Sequence, residues 1–343
     1  MKLWSFGLKD YFNNRSKKDN NTKLSSIVPF PKNALIELSN SCNHTCVFCN
    51  NGLMERKIGH LKIDTYKKFI KQATSLGLKE IGLYSTGEPF MTKNLNEFVS
   101  IAKQNNIEKI YITTNGSLAN LDRIIELCGN GLSSIKFSIN AATKESYKFI
   151  HGYDDFDKVL KNVQEIYFWK NKNKIKLTLL GSLIYTNLTE NEIDLHKKIF
   201  SKYFEDILYA PASGQAGKNL DLTHEMTQYW NFNQDINPCK MIFNRIHVTY
   251  EGYLTACCVD YENDLTYSDI NQEKFSLEDE WNNKIIQNLR LKHLDRKLDN
   301  TLCHGCLTGT SKPYEPISKL NGEKANKIKK NNIKERFSSF VKN

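Results

Sequence analysis

Short apolar runs rich in Ile, Leu, Val or Tyr recur at residues 34–39, 80–84, 109–113, 135–139, 176–184 and 206–210, and each predicts a strand. Between them, apolar residues fall at helical spacing. The clearest such stretch begins at Asp64, the expected N-cap, and repeats Tyr66, Phe69, Ile70, Ala73 and Leu76 before Gly77. Another runs from Phe156 through Val159, Leu160, Val163 and Ile166 to Tyr167. Strands alternating with helices predict an α/β fold with a parallel sheet, open or curled into a barrel. In such sheets sites form at the carboxyl ends of the strands. Near residue 215 the rhythm stops: Gly214 and Gly217 mark a loop, and 219–237 is polar. A domain boundary is expected there, giving a lead-in over 1–33, a first domain over 34–215, a second over 216–318 and a tail over 319–343.

The segments after the strands carry the candidate chemistry. Ser41–Asn50, SCNHTCVFCN, follows the first strand and sets Cys42, Cys46 and Cys49 in a C-x3-C-x2-C run. Three thiolates on so short a turn can hold an iron–sulfur cluster, which normally takes four cysteines, and leave one iron open to a small molecule. A zinc knuckle is the alternative. It needs a fourth ligand in a closed site, and His44 lies inside the loop rather than in a paired H-x3–5-H. The second strand runs into Ser85-Thr86-Gly87-Glu88-Pro89, the third into Thr113-Thr114-Asn115-Gly116 and the fourth into Ser138-Ile139-Asn140. No glycine-rich phosphate loop follows any strand, so nucleoside triphosphate and dinucleotide cofactors have no support.

Composition narrows the classes. With 343 residues, 40% hydrophobic and 25% charged, the chain reads as globular, and it has no apolar run of about 18 residues that would span a membrane. The start, MKLWSFGLKDYF, lacks the apolar region of a signal peptide, so a cytoplasmic location is expected. The net charge of +10 sits at the ends: six basic against two acidic side chains in 1–24, and eight against two in 319–343. The body balances 34 of each sign, which argues against a nucleic-acid-binding fold. The two ends are expected as solvated tails. Short amphipathic helices (Leu3, Trp4, Phe6, Leu8, Tyr11 and Phe12; Ile333, Phe337, Phe340 and Val341) are the features that would dock on the body or make a peripheral contact with an anionic membrane.

Nine cysteines in such a chain argue for metal or catalysis rather than disulfides. Eight fall into groups, at 42/46/49, 239, 257/258 and 303/306. Cys128 ends a helical apolar pattern and is expected as a buried structural thiol.

Together these motifs resemble the radical S-adenosylmethionine (radical SAM) superfamily over roughly residues 34–210. Cys42, Cys46 and Cys49 resemble its cluster loop, with Phe48 where the family packs the adenine. Ser85-Thr86-Gly87-Glu88-Pro89 resembles its GGEP motif, Thr86 replacing the first glycine; Gly87 and Glu88 meet the methionine amino group in the family. Ser138 and Asn140 stand where it contacts ribose and carboxylate, and Gly181–Ile184 is similar to its strand-five adenine motif, which implicates Ile184. The resemblance implies a partial (β/α)6 barrel, a 4Fe–4S cluster that binds S-adenosylmethionine, and a 5′-deoxyadenosyl radical. It also implies an external electron donor such as flavodoxin or ferredoxin. Cys239, Gly252 and Cys257, followed by Cys303-x2-Cys306, resemble a SPASM/twitch extension. That implies one auxiliary 4Fe–4S cluster on Cys239, Cys257, Cys303 and Cys306, with Cys258 a structural neighbour or a substrate-facing thiol.

A fully ligated auxiliary cluster implies an electron acceptor. The arrangement resembles twitch dehydrogenases acting on an amino-cyclitol alcohol, so the expected reaction is hydrogen abstraction at a carbinol carbon of a sugar, cyclitol or nucleotide-linked substrate. It would end in oxidation to a ketone, or in epimerisation with Cys258 or Cys128 returning hydrogen. Peptide maturation, common among SPASM proteins, is a second reading, and a non-catalytic iron–sulfur electron-transfer protein a third. His151, His247, Arg245 and Asp260 are acid/base candidates by position, with a structural role the plainer expectation for each. Asp260, three residues past Cys257, is the first to test.

Overall fold

The computed structural model describes residues 24–217, 226, 237–310 and 312–322. The helices expected within 3–12 and 333–341, and most of the polar stretch 219–237, lie outside the described residues.

Six parallel strands form where the apolar runs predict them: β1 (Asn33–Ile36), β2 (Glu80–Gly82), β3 (Lys109–Thr114), β4 (Ser134–Ser138), β5 (Thr178–Tyr185) and β6 (Asp206–Pro211). They pair in sequence order, so each neighbour is reached through a crossover helix. These are α1 (Ile63–Ser75), α2 (Leu95–Gln104), α3 (Leu121–Gly129), α4 (Lys144–His151) with α5 (Phe156–Lys172), and α6 (Ile193–Phe200). In α1, Tyr66, Phe69, Ile70 and Ala73 are buried as their spacing predicts. Its cap differs: Lys62 precedes the helix, and Asp64 sits in the first turn, where a carboxylate complements the helix dipole. Cys128 is half-buried against the core rather than sealed within it.

The sheet does not stop at six strands. β7 (Arg245–Val248) pairs in parallel with β1, from Asn33 opposite Arg245 to Ile36 opposite Val248. β8 (Tyr253–Thr255) and β9 (Thr266–Asp269) then continue it antiparallel. The order is β6-β5-β4-β3-β2-β1-β7-β8-β9, open at β6 and β9. Pattern reading missed these last strands because they are three or four residues long and RIHV carries an arginine and a histidine. Gly252 turns the chain from β7 to β8 at φ 91°, and a Cβ there would stand 2.6 Å from Asn271 Nδ2. The chain continues through α7 (Met241–Asn244, before β7), α8 (Leu277–Trp281), α9 (Lys284–Leu294) and α10 (Leu302–Thr308).

One continuous apolar core runs from Val28 through the parallel strands to Cys303. A buried ion triad reinforces the joint. Arg56 Nη2 lies 2.6 Å from Glu37 beyond β1 and 2.7 Å from Glu251 in the β7–β8 turn. The Thr86 hydroxyl also bonds Glu37, so the residue departing from the family motif serves this joint.

Candidate functional site

The loops after β1 to β4 meet at the carboxyl edge of the sheet, where the sequence motifs lie. The loop Ser41–Asn50 is pinned on three sides. Thr45 and Val47 N–H donate to the carbonyls of His151 and Ile150 at the end of α4, and Glu88 N–H donates to Ser41 O at 2.8 Å. Asn43 bridges to the β3 loop, donating to Ser117 Oγ at 2.7 Å and accepting from Asn115 Nδ2 at 2.9 Å. Gly87 lets this docking happen: a Cβ there would lie 2.3 Å from Ser39 O and 2.6 Å from Ser41 O.

Two of the three thiols have backbone support suited to a cluster, although among the described residues no three His, Cys, Asp or Glu side chains stand ready-made to hold a single metal ion. Backbone N–H groups of Asn43 and His44 point at Cys42, and that of Asn51 at Cys49. Such amides stabilise anionic sulfur. Burial, then the Glu88 carboxylate, pushes the Cys42 thiol up to about 12, and burial raises Cys49 too. A cluster supplies the positive charge that makes thiolates favourable in so buried a setting. His44 turns to other partners: Nε2 is 3.0 Å from Asp155 and the ring stacks on Tyr153.

His151, a candidate by position, proves to be the thiols' neighbour. Its Nε2 accepts Asn140 N–H at 3.2 Å, which leaves the ring proton on Nδ1. Nδ1 stands 3.5 Å from Cys46 Sγ and 3.2 Å from His44 Nδ1. Asp155, His44, His151 and Cys46 therefore form one chain that motif spacing gives no sign of.

Glu88 is 3% exposed, and burial raises its carboxyl above the usual range. Oε1 accepts Phe90 N–H and the Thr114 hydroxyl; Oε2 accepts Asn115 N–H at 2.8 Å. Three of about four lone-pair positions are filled, and the one left on Oε2 suits an ammonium group. Ser138, Asn140 and Ile184 also come together. Asn140 Oδ1 accepts Ile184 N–H at 2.8 Å, and its Nδ2 lies 3.3 Å from Ser138 Oγ. Phe48 packs against a small apolar group of Val47, Phe149 and Ile150.

The second thiol group assembles from three segments. Cys239 lies in electrostatic range of Cys303, Cys306 and Cys258, and Cys306 in range of Cys257. Met241, Ile242, Val259 and Ala216 supply backbone N–H groups to Cys239, Cys257 and Cys306. Burial raises all four expected ligands, Cys306 to about 11; for Cys257 the contact with Cys258 comes first. Cys258 is a fifth thiol there, held below the usual thiol range by the Cys257 thiol and then by His247. His247 is buried on β7, its ring nitrogens near Cys258 without hydrogen-bond geometry. Ser85 Oγ donates to Cys258 O at 2.8 Å, which brings the first site's loop to the second.

Asp260 is occupied within its own loop. Its carboxylate accepts the Thr255 hydroxyl and the N–H groups of Asp264 and Leu265, all within 2.9 Å, so it organises the β8–β9 loop. Burial raises its carboxyl to about 6. Tyr261, on the same loop, reaches Cys49, a contact without sequence signal.

A parallel sheet with a three-thiol loop beyond β1, and a second thiol group beside it, defines an iron–sulfur enzyme of the α/β class. The radical SAM superfamily matches residues 36–198 and the SPASM iron-sulfur cluster-binding domain matches residues 239–307. The chain belongs to the radical SAM superfamily and carries a C-terminal SPASM-type domain. With that membership come 4Fe–4S clusters and S-adenosylmethionine as cofactors. The fold is similar to that of BtrN in complex with AdoMet and 2-DOIA, at 17% identity over 87% of this chain and 100% of that one, TM-score 0.57. It is also similar to Streptococcus suis SuiB bound to precursor peptide SuiA, at 16% identity over 81% and 69%, TM-score 0.58. A GTP 3′,8-cyclase of Clostridium perfringens is 28% identical over 164 residues, 46% of this chain and 48% of the cyclase. The chain thus spans about half the length of the curated relatives it matches. Among the described residues no helix is long and apolar enough to cross a membrane.

Proposed function

We propose that the chain is a radical SAM oxidoreductase acting at a carbinol carbon of a sugar- or cyclitol-type substrate, free or nucleotide-linked, by oxidation to the ketone or by epimerisation. One observation supports the reading: Cys239, Cys257, Cys303 and Cys306, from three separate segments, come within electrostatic range of one another in the region joined to the three-thiol loop through Ser85. Four ligands leave no iron open, and a closed cluster serves as an electron acceptor rather than a second binding site. When bound, the cofactors supply a hydrogen-abstracting radical and a place for the substrate's electron.

The chain's own residues divide the remaining work. Cys42, Cys46 and Cys49 hold the first cluster, and Glu88 receives the ammonium group of S-adenosylmethionine on its free lone pair. Ser138 and Asn140 line the ribose and carboxylate side, Phe48 and Ile184 the adenine side, and Gly87 admits the loop. Residues 34–215 form the radical-generating unit and 216–318 the auxiliary unit, with flavodoxin or ferredoxin as electron donor. Cys258 is the hydrogen donor of the epimerisation branch.

The test is anaerobic turnover of reconstituted protein with polyols deuterated at the carbinol carbon, beside GTP and peptides. Deuterium in 5′-deoxyadenosine from a polyol, with a ketone or inverted product, is the expected result. Transfer from GTP or a peptide alone would overturn it. Glu88→Ala is expected to slow S-adenosylmethionine cleavage at least tenfold; cleavage at the wild-type rate would remove Glu88 from the site.

A further inference from the structure

A continuous chain of contacts joins the two thiol groups. Tyr261, 4% exposed, holds its hydroxyl 3.4 Å from Cys49 Sγ. The same hydroxyl donates to Gln215 Oε1 at 2.6 Å. Gln215 and Ala216 follow β6 in left-handed conformation, φ 46° and 59°, which disfavours any residue with a Cβ. That turn sends the Gln215 side chain to Tyr261 and the Ala216 N–H to the sulfur of Cys306.

A phenol has one proton to donate. When Cys49 is a thiol, its S–H can donate to Tyr261 Oη while Tyr261 donates to Gln215. A cluster-bound thiolate has no proton, and Tyr261 then faces two acceptors, Cys49 Sγ and Gln215 Oε1. Turning the Gln215 amide over resolves the conflict. Its Nε2–H donates to Tyr261 Oη, and the phenol proton goes to the anionic sulfur, the charge-assisted bond of the two. The turn gives up a 3.4 Å contact from Nε2 to Ser213 Oγ.

We propose that Tyr261 donates a hydrogen bond to Cys49 in the cluster-loaded enzyme and sets that cluster's reduction potential, with Gln215 reversing its amide to permit it. Tyr261, Gln215 and Ala216 then bridge the first cluster to the auxiliary one. A donor on a cluster thiolate stabilises the reduced state and raises the potential. Tyr261 is a positioning and tuning residue. The inference rests on Cys42, Cys46 and Cys49 holding the first cluster.

The test is a redox titration followed by electron paramagnetic resonance on reconstituted full-length protein, with iron counted in each sample. Tyr261→Phe is expected to keep wild-type iron and move the first cluster to a more negative midpoint. Gln215→Met, which removes the competing acceptor and spares the phenol, is expected to leave that midpoint in place. An unmoved midpoint in iron-replete Tyr261→Phe overturns the inference, as does an equal shift in Gln215→Met, which would signal general loosening. If Tyr261→Phe loses iron, 3-fluorotyrosine at position 261 keeps the shape and donates more strongly; it is expected to shift the midpoint upward, and no shift overturns the inference. Wild-type protein without iron on the first loop would instead remove the cluster assignment beneath it.

Discussion

The two thiol groups are built in opposite ways. Cys42, Cys46 and Cys49 share one loop, which Asn43, Thr45, Val47 and the Glu88 N–H pin to its neighbours. Cys239 precedes α7, Cys257 follows β8, and Cys303 and Cys306 lie on α10, so the second group exists only when three distant segments fold together. A ligand that closes long loops contributes to folding itself, whereas one seated on a pinned local turn contributes mainly chemistry. The first group should therefore govern activity and the second both activity and stability.

The largest effect expected is on catalysis. Replacing Cys42, Cys46 and Cys49 by Ala lowers iron from about eight to about four per chain and abolishes S-adenosylmethionine cleavage. The thermal midpoint of that variant stays near wild type, as read by circular dichroism. Cys303→Ser with Cys306→Ser loses a similar amount of iron and also melts lower. The cost is on the order of 4 kcal/mol, by analogy with a cross-link that closes a loop of this length. Equal midpoints in the two variants would break the contrast.

Arg56 sharpens the same comparison because it ties the two regions together without touching a thiol. Arg56→Met leaves the buried Glu37 and the partly buried Glu251 with no counter-charge. The expected cost is about 3–5 kcal/mol in denaturant unfolding. Wild-type iron in the folded protein would separate this joint from the clusters; iron lost from the second group alone would make the joint part of that site.

What could be read in advance follows the same division. The first site was legible because its ligands are neighbours in sequence and the strands around it are apolar enough to mark. Gly87 and Glu88 were legible through their motif, although the reason for Gly87, two carbonyls within 2.6 Å, needs the packed loop. β7 was not legible: Arg245 and His247 disguise a strand that pairing with β1 and β8 stabilises. Tyr261, Gln215 and the Asp155–His44–His151 chain were invisible because each joins elements far apart in sequence. For Asp260 nearness to Cys257 in sequence left a structural role and an acid/base role both open, and its carboxylate proves to be occupied by its own loop.

The smallest effect expected lies away from both groups and serves as their control. His196 is buried on α6, its Nδ1 3.1 Å from the Tyr209 hydroxyl, and burial lowers its imidazole to about 4 from an ordinary 6.5. Between those values the unfolded chain takes up a proton that the folded chain refuses. Stability is therefore full above pH 6.5, falls as pH drops towards 4, and is flat in this respect below. The loss is about 1.4 kcal/mol per pH unit and about 3 kcal/mol in total at most. His196→Phe keeps a ring against Phe200, 4.6 Å away in the wild type, and removes the titrating group. Its unfolding free energy at pH 5 and pH 7, set against wild type, is expected to differ by less, with iron content unchanged at both. Because His293 is lowered in the same way, the histidine whose ring accepts the Cys239 N–H, some pH dependence persists in the variant. That residue should respond to loss of the second group as His196 does not, so an unchanged His196 contribution in the Cys303→Ser/Cys306→Ser background would locate the stability cost in the second region rather than in the barrel.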